Sequence, residues 1–226
     1  MSYRNMRWVV FGVLLACAPL MAQSPAPGPG LLELSIRDQS GEPLADVVAY
    51  LTPADEMSAP LPEIMDQVNL SFEPHVLPVR LGTSVDFPNS DQVRHHVYSF
   101  SPAKRFELPL YSGLPSEPVV FDRPGEVVLG CNIHDRMLAY IYVVDSPYFA
   151  KSDEQGRVLI GALPAGEYRL DLWHPRQAAE SPGQTLVLPG DGRPAPLTLA
   201  VNPPPPPPEA REESSLQQRF RRFRSP

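Results

Sequence analysis

The sequence predicts an all-β protein, and three observations predict it. Thirty prolines and fourteen glycines punctuate the 226 residues, which leaves little room for long helices. Apolar and polar residues alternate in short runs, the pattern of half-buried strands. Turn clusters of Gly, Pro, Asp and Asn separate those runs closely enough along the middle of the chain to predict a β-sandwich of about one hundred residues.

The elements follow in order. Leu32-Glu33-Leu34-Ser35-Ile36 alternates as a first strand, Asp38-Gln39-Ser40-Gly41-Glu42-Pro43 has turn chemistry, and Ala45 to Leu51 reads as the second strand. Residues 57–62 have the composition of a linker. Val68-Asn69-Leu70-Ser71-Phe72 alternates as a strand, Pro74 to Pro78 is expected to break the pattern, and Val79 to Phe87 holds a strand around Gly82. Short strands are expected at 97–100 and 119–121, then a turn at Arg123-Pro124-Gly125. Strands follow at 127–129 and 138–144, and later ones are expected within 149–201.

The two ends have a different character. Arg4 and Arg7 precede a short apolar run from Trp8 to Ala16, which reads as a secretory leader over residues 1–22 and is too short to span a membrane. Residues 23–30 read as a flexible leader segment. Soluble export to the periplasm is the preferred reading; the alternative is a lipidated Cys17, since Leu14-Leu15-Ala16-Cys17 approaches a lipobox. Residues 202–226 begin with a proline run, a stiff spacer, and end in Arg219-Phe220-Arg221-Arg222-Phe223-Arg224. That basic tail suits an anionic membrane surface or an acidic partner, although a solvated tail is the favoured reading. The net charge is −7, and loss of Arg4 and Arg7 would make the mature chain more acidic still. This excludes nucleic acid as a natural partner.

Only two cysteines are present, and Cys17 lies in the leader. Cys131 is therefore a lone thiol in an exported chain, where thiols usually pair as disulfides. A buried small hydrophobe is the plain reading of such a residue. It does not account for Cys131-Asn132-Ile133-His134-Asp135-Arg136-Met137, a C-x2-H-x2-M segment between two apolar strands. Thiolate, imidazole and thioether together select copper, and a mononuclear site of this kind wants a second imidazole. The pair His95-His96 upstream offers one. The expected metal ligands are Cys131, His134, Met137 and one histidine of the pair His95-His96, holding one copper ion per chain as Cu(I) or Cu(II). His96 competes with His95, because neighbouring strand residues face opposite ways. His75 reads as structural or exposed, and His174 as packed at a strand end beside Trp173. No serine–histidine–acid set, phosphate loop or HExxH motif is present, so the chain is not expected to be an enzyme.

Cys131 to Met137 resembles the ligand loop of the cupredoxins, and the amicyanin type most closely, because two residues separate His134 from Met137. Val85 to Val97 is similar to the first ligand region of that family, in which the histidine stands six residues after an asparagine; here Asn89 leads to His95. His96 replaces the family's loop-bracing asparagine and Asp135 its proline. The resemblance implies a Greek-key cupredoxin β-sandwich over residues 60–147 and a one-electron carrier serving redox protein partners. The wider stretch resembles exported bacterial proteins labelled methylamine-utilisation proteins. Lys151 to Leu170, with Asp153-Glu154-Gln155-Gly156 and Leu163-Pro164-Ala165-Gly166-Glu167-Tyr168, resembles carboxypeptidase-regulatory-like or transthyretin-like sandwiches. This implies a second small β-sandwich made of 31–55 and 149–201, with the copper unit inserted. A single cupredoxin with extra edge strands is the alternative. Copper chaperone or storage protein, and structural or carbohydrate-binding sandwich with a vestigial site, stand as alternative functions.

Overall fold

The computed structural model describes residues 30–52, 59–115, 117–188 and 196–204. The expected leader, Cys17 and the Arg219–Arg224 tail lie outside the described residues. Among the described residues every regular element is a strand, and no helix is long and apolar enough to cross a membrane.

In chain order the strands are β1 (Gly30–Asp38), β2 (Val48–Thr52), β3 (Glu63–Ile64), β4 (Asp66–Val68), β5 (Ser71–Glu73) and β6 (Val76–Arg80). There follow β7 (Ser84–Asp86), β8 (His95–Ser99), β9 (Phe106–Tyr111), β10 (Val119–Val120), β11 (Gly125–Gly130) and β12 (Leu138–Val144). The last are β13 (Phe149–Lys151), β14 (Arg157–Leu163), β15 (Gly166–Trp173), β16 (Gln184–Leu188) and β17 (Leu197–Leu199).

The middle of the chain forms one sandwich. Its larger sheet runs β6-β12-β11-β8-β9, and β10-β7-β3 and the hairpin β4-β5 accompany it. The inward residues of each strand alternate as their sequence does: Val127 and Leu129 on β11, Ala139, Ile141 and Val143 on β12. They meet Met65, Phe72, Val85, Phe87 and Phe121 in one closed core.

The flanks form a second set of sheets, β14-β1-β17 and β13-β2-β15-β16. Their core joins Leu32, Leu34, Ile36, Val47 and Leu51 from the first flank to Val158, Ile160, Leu170 and Leu199 from the second. Two serines fasten the crossing points. Ser146 Oγ donates to Leu51 O at 2.6 Å, and Ser152 Oγ donates to Leu44 O at 2.8 Å while accepting from Val47 N–H at 2.8 Å. Val48, Val76 and Val144 form a small third cluster with Tyr140, Tyr142 and Trp173, where the two sets of sheets touch.

Three details differ from the sequence-based expectations. The run 68–72 is not one strand but a hairpin, with Asn69 and Leu70 both at positive φ (53° and 59°) between β4 and β5. A leucine in that region is unfavourable, and a distant residue compensates: the Asp91 carboxylate accepts the N–H groups of Asn69 at 2.7 Å and Leu70 at 2.9 Å. Pro78 does not break the chain, because β6 is a sheet-edge strand and can carry a proline. Between Val79 and Phe87 the expected strand divides at a Leu81–Gly82 turn into the end of β6 and β7.

Candidate metal centre

The antiparallel ladder brings three chain segments to one end of the larger sheet. Gly130, the last residue of β11, pairs with Leu138 of β12 and with Tyr98 of β8. The loop 131–137 and the start of β8 at His95 therefore lie side by side. The closeness shows at Gly130, where an added Cβ would stand 2.8 Å from the end of the Tyr98 ring and would push that side chain aside.

β8 faces His95, Val97 and Ser99 inward, and its pairing with β9 carries an irregularity between His95 and Val97. His95 is wholly buried, and its Nδ1 lies 3.0 Å from His134 Nδ1. Cys131 Sγ lies 3.7 Å from the same His134 nitrogen. One donor atom from each of His95, Cys131 and His134 falls within 4.8 Å of the others. Donors held about 2.0–2.3 Å from a single ion stand roughly 3–4 Å apart, so this trio fits one metal ion. His96 is outside the trio: its Nε2 contacts Glu107 at 2.8 Å, and its buried Nδ1 has no protein partner.

The loop 131–137 is closed by a turn in which Met137 N–H donates to His134 O at 2.9 Å. That closure returns the chain inward, and Met137 is buried in the same core cluster as Cys131. His134 is half-buried at the surface end of the trio. His75 is exposed and packs edge-on against Tyr140, away from the trio. His174 is buried at the end of β15, and its Nδ1 accepts Arg176 N–H at 3.1 Å. Burial lowers its pKa to about 4.

Asp91 is the site residue that the sequence reading missed. Its Oδ2 meets His95 Nε2 at 2.8 Å. A carboxylate only accepts, so the imidazole proton is held on Nε2 and Nδ1 presents its lone pair to the trio. Burial acts to raise the Asp91 pKa, but hydrogen bonds from Leu70 N–H, His95 and Asn69 N–H outweigh it, and the net shift is downward. Asn89 holds the loop below it, donating to Val93 O at 2.9 Å and Tyr111 O at 3.0 Å and accepting Asp91 N–H at 3.0 Å. A carboxylate four residues before the first histidine was the only available signal, and in an irregular loop that spacing fixes no geometry.

Exposed apolar residues stand on the loops tied to Asn89 and Asp91, namely Leu70, Val93 and Leu114, and Ile133 precedes His134 in the chain. Leu70 is tied to Asp91, and Leu114 follows Gly113, whose carbonyl accepts Asn89 N–H at 2.7 Å.

No protein-family model matches the chain, and no curated protein matches it. Among solved structures it is similar to a Cu-containing nitrite reductase from Thermus scotoductus SA-01, with 28% identity and a TM-score of 0.36. That match covers 42% of this chain and 25% of the reductase, so the chain spans about a quarter of that protein's length. A purple cupredoxin from Nitrosopumilus maritimus matches with 24% identity and a TM-score of 0.30, covering 34% of this chain and 84% of that one. A reduced Cu(I) form of amicyanin matches with 19% identity and a TM-score of 0.33, covering 42% and 98%. Solved structures to which this chain is similar thus include cupredoxins and a copper nitrite reductase, each over less than half of this chain's length.

Proposed function

We propose that the chain is an exported, periplasmic one-electron carrier with a mononuclear copper site formed by His95, Cys131, His134 and Met137. The observation that carries this reading is the convergence of two imidazole nitrogens and one thiol, within 4.8 Å, on a rigid sheet end. Two imidazoles, a thiolate and a weak thioether donor would hold Cu(I) and Cu(II) alike, and copper bound there would supply one-electron chemistry with little rearrangement. Asp91 fixes the His95 ring, and the hydrogen-bonded loop 131–137 fixes the other donors. Burial of Cys131 and His95 favours a carrier over a chaperone, because a metal to be handed on needs open donors. The half-buried His134, with the exposed Ile133 beside it in the chain, would be the point at which a redox protein partner exchanges the electron.

Addition of Cu(II) to the apoprotein should give an intense visible thiolate-to-copper band that ascorbate bleaches and air or ferricyanide restores. A protein that binds copper with no such band is not a carrier of this type. Asp91→Ala should weaken copper binding about ten- to a hundredfold, measured by competition with a chelator, because the ring it orients is freed. Unchanged affinity would remove Asp91 from the site.

The middle sandwich is, in this reading, a unit inserted between two halves of a host sandwich. Its core draws on residues 65–143 and the host core on 32–51 and 158–201. A chain of residues 60–147 alone should fold and bind copper, with lowered stability because Tyr140 and Tyr142 lose the cover of Trp173. Failure to fold would favour one extended sandwich.

A further inference from the structure

Where the two sandwiches meet, a cleft of about 450 Å³ opens beside the third cluster. Its floor is aromatic. Trp173 stacks on Tyr142 with centroids 4.4 Å apart and planes at 19°, and Tyr50 leans on Tyr142 at 5.9 Å. Its charged lining comprises three carboxylates, Glu126, Asp171 and Glu180, against the single guanidinium of Arg169. Arg169 and Asp171 pair with each other at 2.8 Å. His174, which also lines the cleft, is uncharged at neutral pH. Glu126 and Glu180 are exposed and have no ion-pair partner among the described residues. Glu126 stands directly across β11–β12 from Tyr142, so an uncompensated carboxylate borders the aromatic floor.

Electron-rich ring faces beside free carboxylates suit an organic cation. A planar guanidinium suits them best, because it stacks on an indole while its edge donates to a carboxylate. The last described residues also lie at this place. Ala178 N–H donates to Ala200 O at 3.0 Å, Asn202 N–H to Arg176 O at 2.7 Å, and the Arg176 guanidinium to Asn202 O at 2.7 Å. These bonds fasten 200–202 to the wall segment 175–181 of the cleft. Beyond Pro204 the sequence continues to Arg219, Arg221, Arg222 and Arg224, interleaved with Phe220 and Phe223. The intervening residues could span on the order of 45 Å when extended, enough to double back to the cleft mouth.

We propose that this cleft binds an arginine side chain of the chain's own Arg219–Arg224 segment. Tethering places that segment at a local concentration in the millimolar range, so individually modest contacts suffice. The inference stands apart from the copper reading, since no residue of the cleft belongs to the trio.

The test replaces Arg219, Arg221, Arg222 and Arg224 by glutamine in the full chain, in a Trp8→Phe background that leaves Trp173 as the one indole. Trp173 emission and its indole N–H resonance should shift relative to the chain with its arginines. A synthetic peptide of residues 218–226 should restore the original signals. Glu126→Gln, a change at an exposed position, should weaken that peptide about tenfold through loss of a charge-assisted contact. Identical Trp173 signals with and without the four arginines would overturn the proposal. So would peptide affinity indifferent to Glu126→Gln, or a peptide that binds the unaltered chain as tightly as the glutamine variant, which would mean that the arginine comes from another molecule.

Discussion

Cys131→Ser should abolish the visible absorption expected of the copper-loaded protein, while far-ultraviolet circular dichroism should stay that of the parent. The effect is expected to be complete because Cys131 is the only thiol among the described residues, so no second sulfur can take its place. The serine hydroxyl is nearly the same size but keeps its proton at neutral pH and is a hard donor, so it offers copper neither charge nor covalency. Burial of a hydroxyl at a position only 4% exposed should cost about 1–3 kcal/mol. A serine protein that retains a band of equal strength would show that the thiolate is not the origin of the colour. His95→Ala should behave like Cys131→Ser, whereas His96→Ala should keep the band, since His96 turns to Glu107.

Gly156→Ala should be the most damaging glycine-to-alanine change among the described residues, at about 3–4 kcal/mol. Gly156 has φ of +70°, and a Cβ built there would stand 2.2 Å from Ile36 O and 3.1 Å from Leu44 N. Both obstacles are backbone, held in place because Ile36 N–H donates to Gly156 O at 2.7 Å and Leu44 N–H to Ile36 O at 3.1 Å. Neither can move aside as a side chain could. Gly41→Ala provides the internal control. Its φ is +88°, but nothing lies within 4 Å of the added carbon, so only the conformational cost of roughly 1–2 kcal/mol applies. Urea midpoints of the two variants measure the difference. Equal losses would mean that the flank strands do not approach as closely as 2.2 Å implies.

Those two glycines also show what was legible in the sequence. Both sit in the same Asp-x-x-Gly turn, at 38–41 and 153–156. In each the aspartate Oδ1 accepts N–H groups of the residues two and four ahead: Ser40 and Glu42 in one, Gln155 and Arg157 in the other. Short-range chemistry of this kind can be read directly, and so can the alternation that buries Val127, Leu129, Ala139 and Ile141. The trio was legible because its donors are unusual residue types at close spacing, and His95 was told from His96 by the six-residue step from Asn89 that the cupredoxin resemblance supplies. The hairpin at Asn69–Leu70 was not legible, because its stabilising acceptor, Asp91, stands more than twenty residues away in the chain. Asp91 escaped notice as a ring-orienting group for the same reason: its role depends on where the loop after Asn89 folds. The aromatic junction of Tyr142 and Trp173 likewise depends on how the two sets of sheets pack, which no local pattern records.

The placement of β1 beside β17 governs how the molecule answers a mechanical pull. The two strands are parallel, with Ile36, Arg37 and Asp38 in register with Leu197, Thr198 and Leu199. Tension applied between the two ends of the described chain draws parallel neighbours in opposite directions along their axes. All three register positions are then loaded together in shear, rather than unzipped one at a time. Force enters at Gly30, crosses that ladder and leaves at Pro204, so the loop of chain carrying the metal donors hangs off the line of tension. A tug on either end would strain the sheets of the flanks first and leave the distances among His95, Cys131 and His134 unchanged until β1 and β17 part.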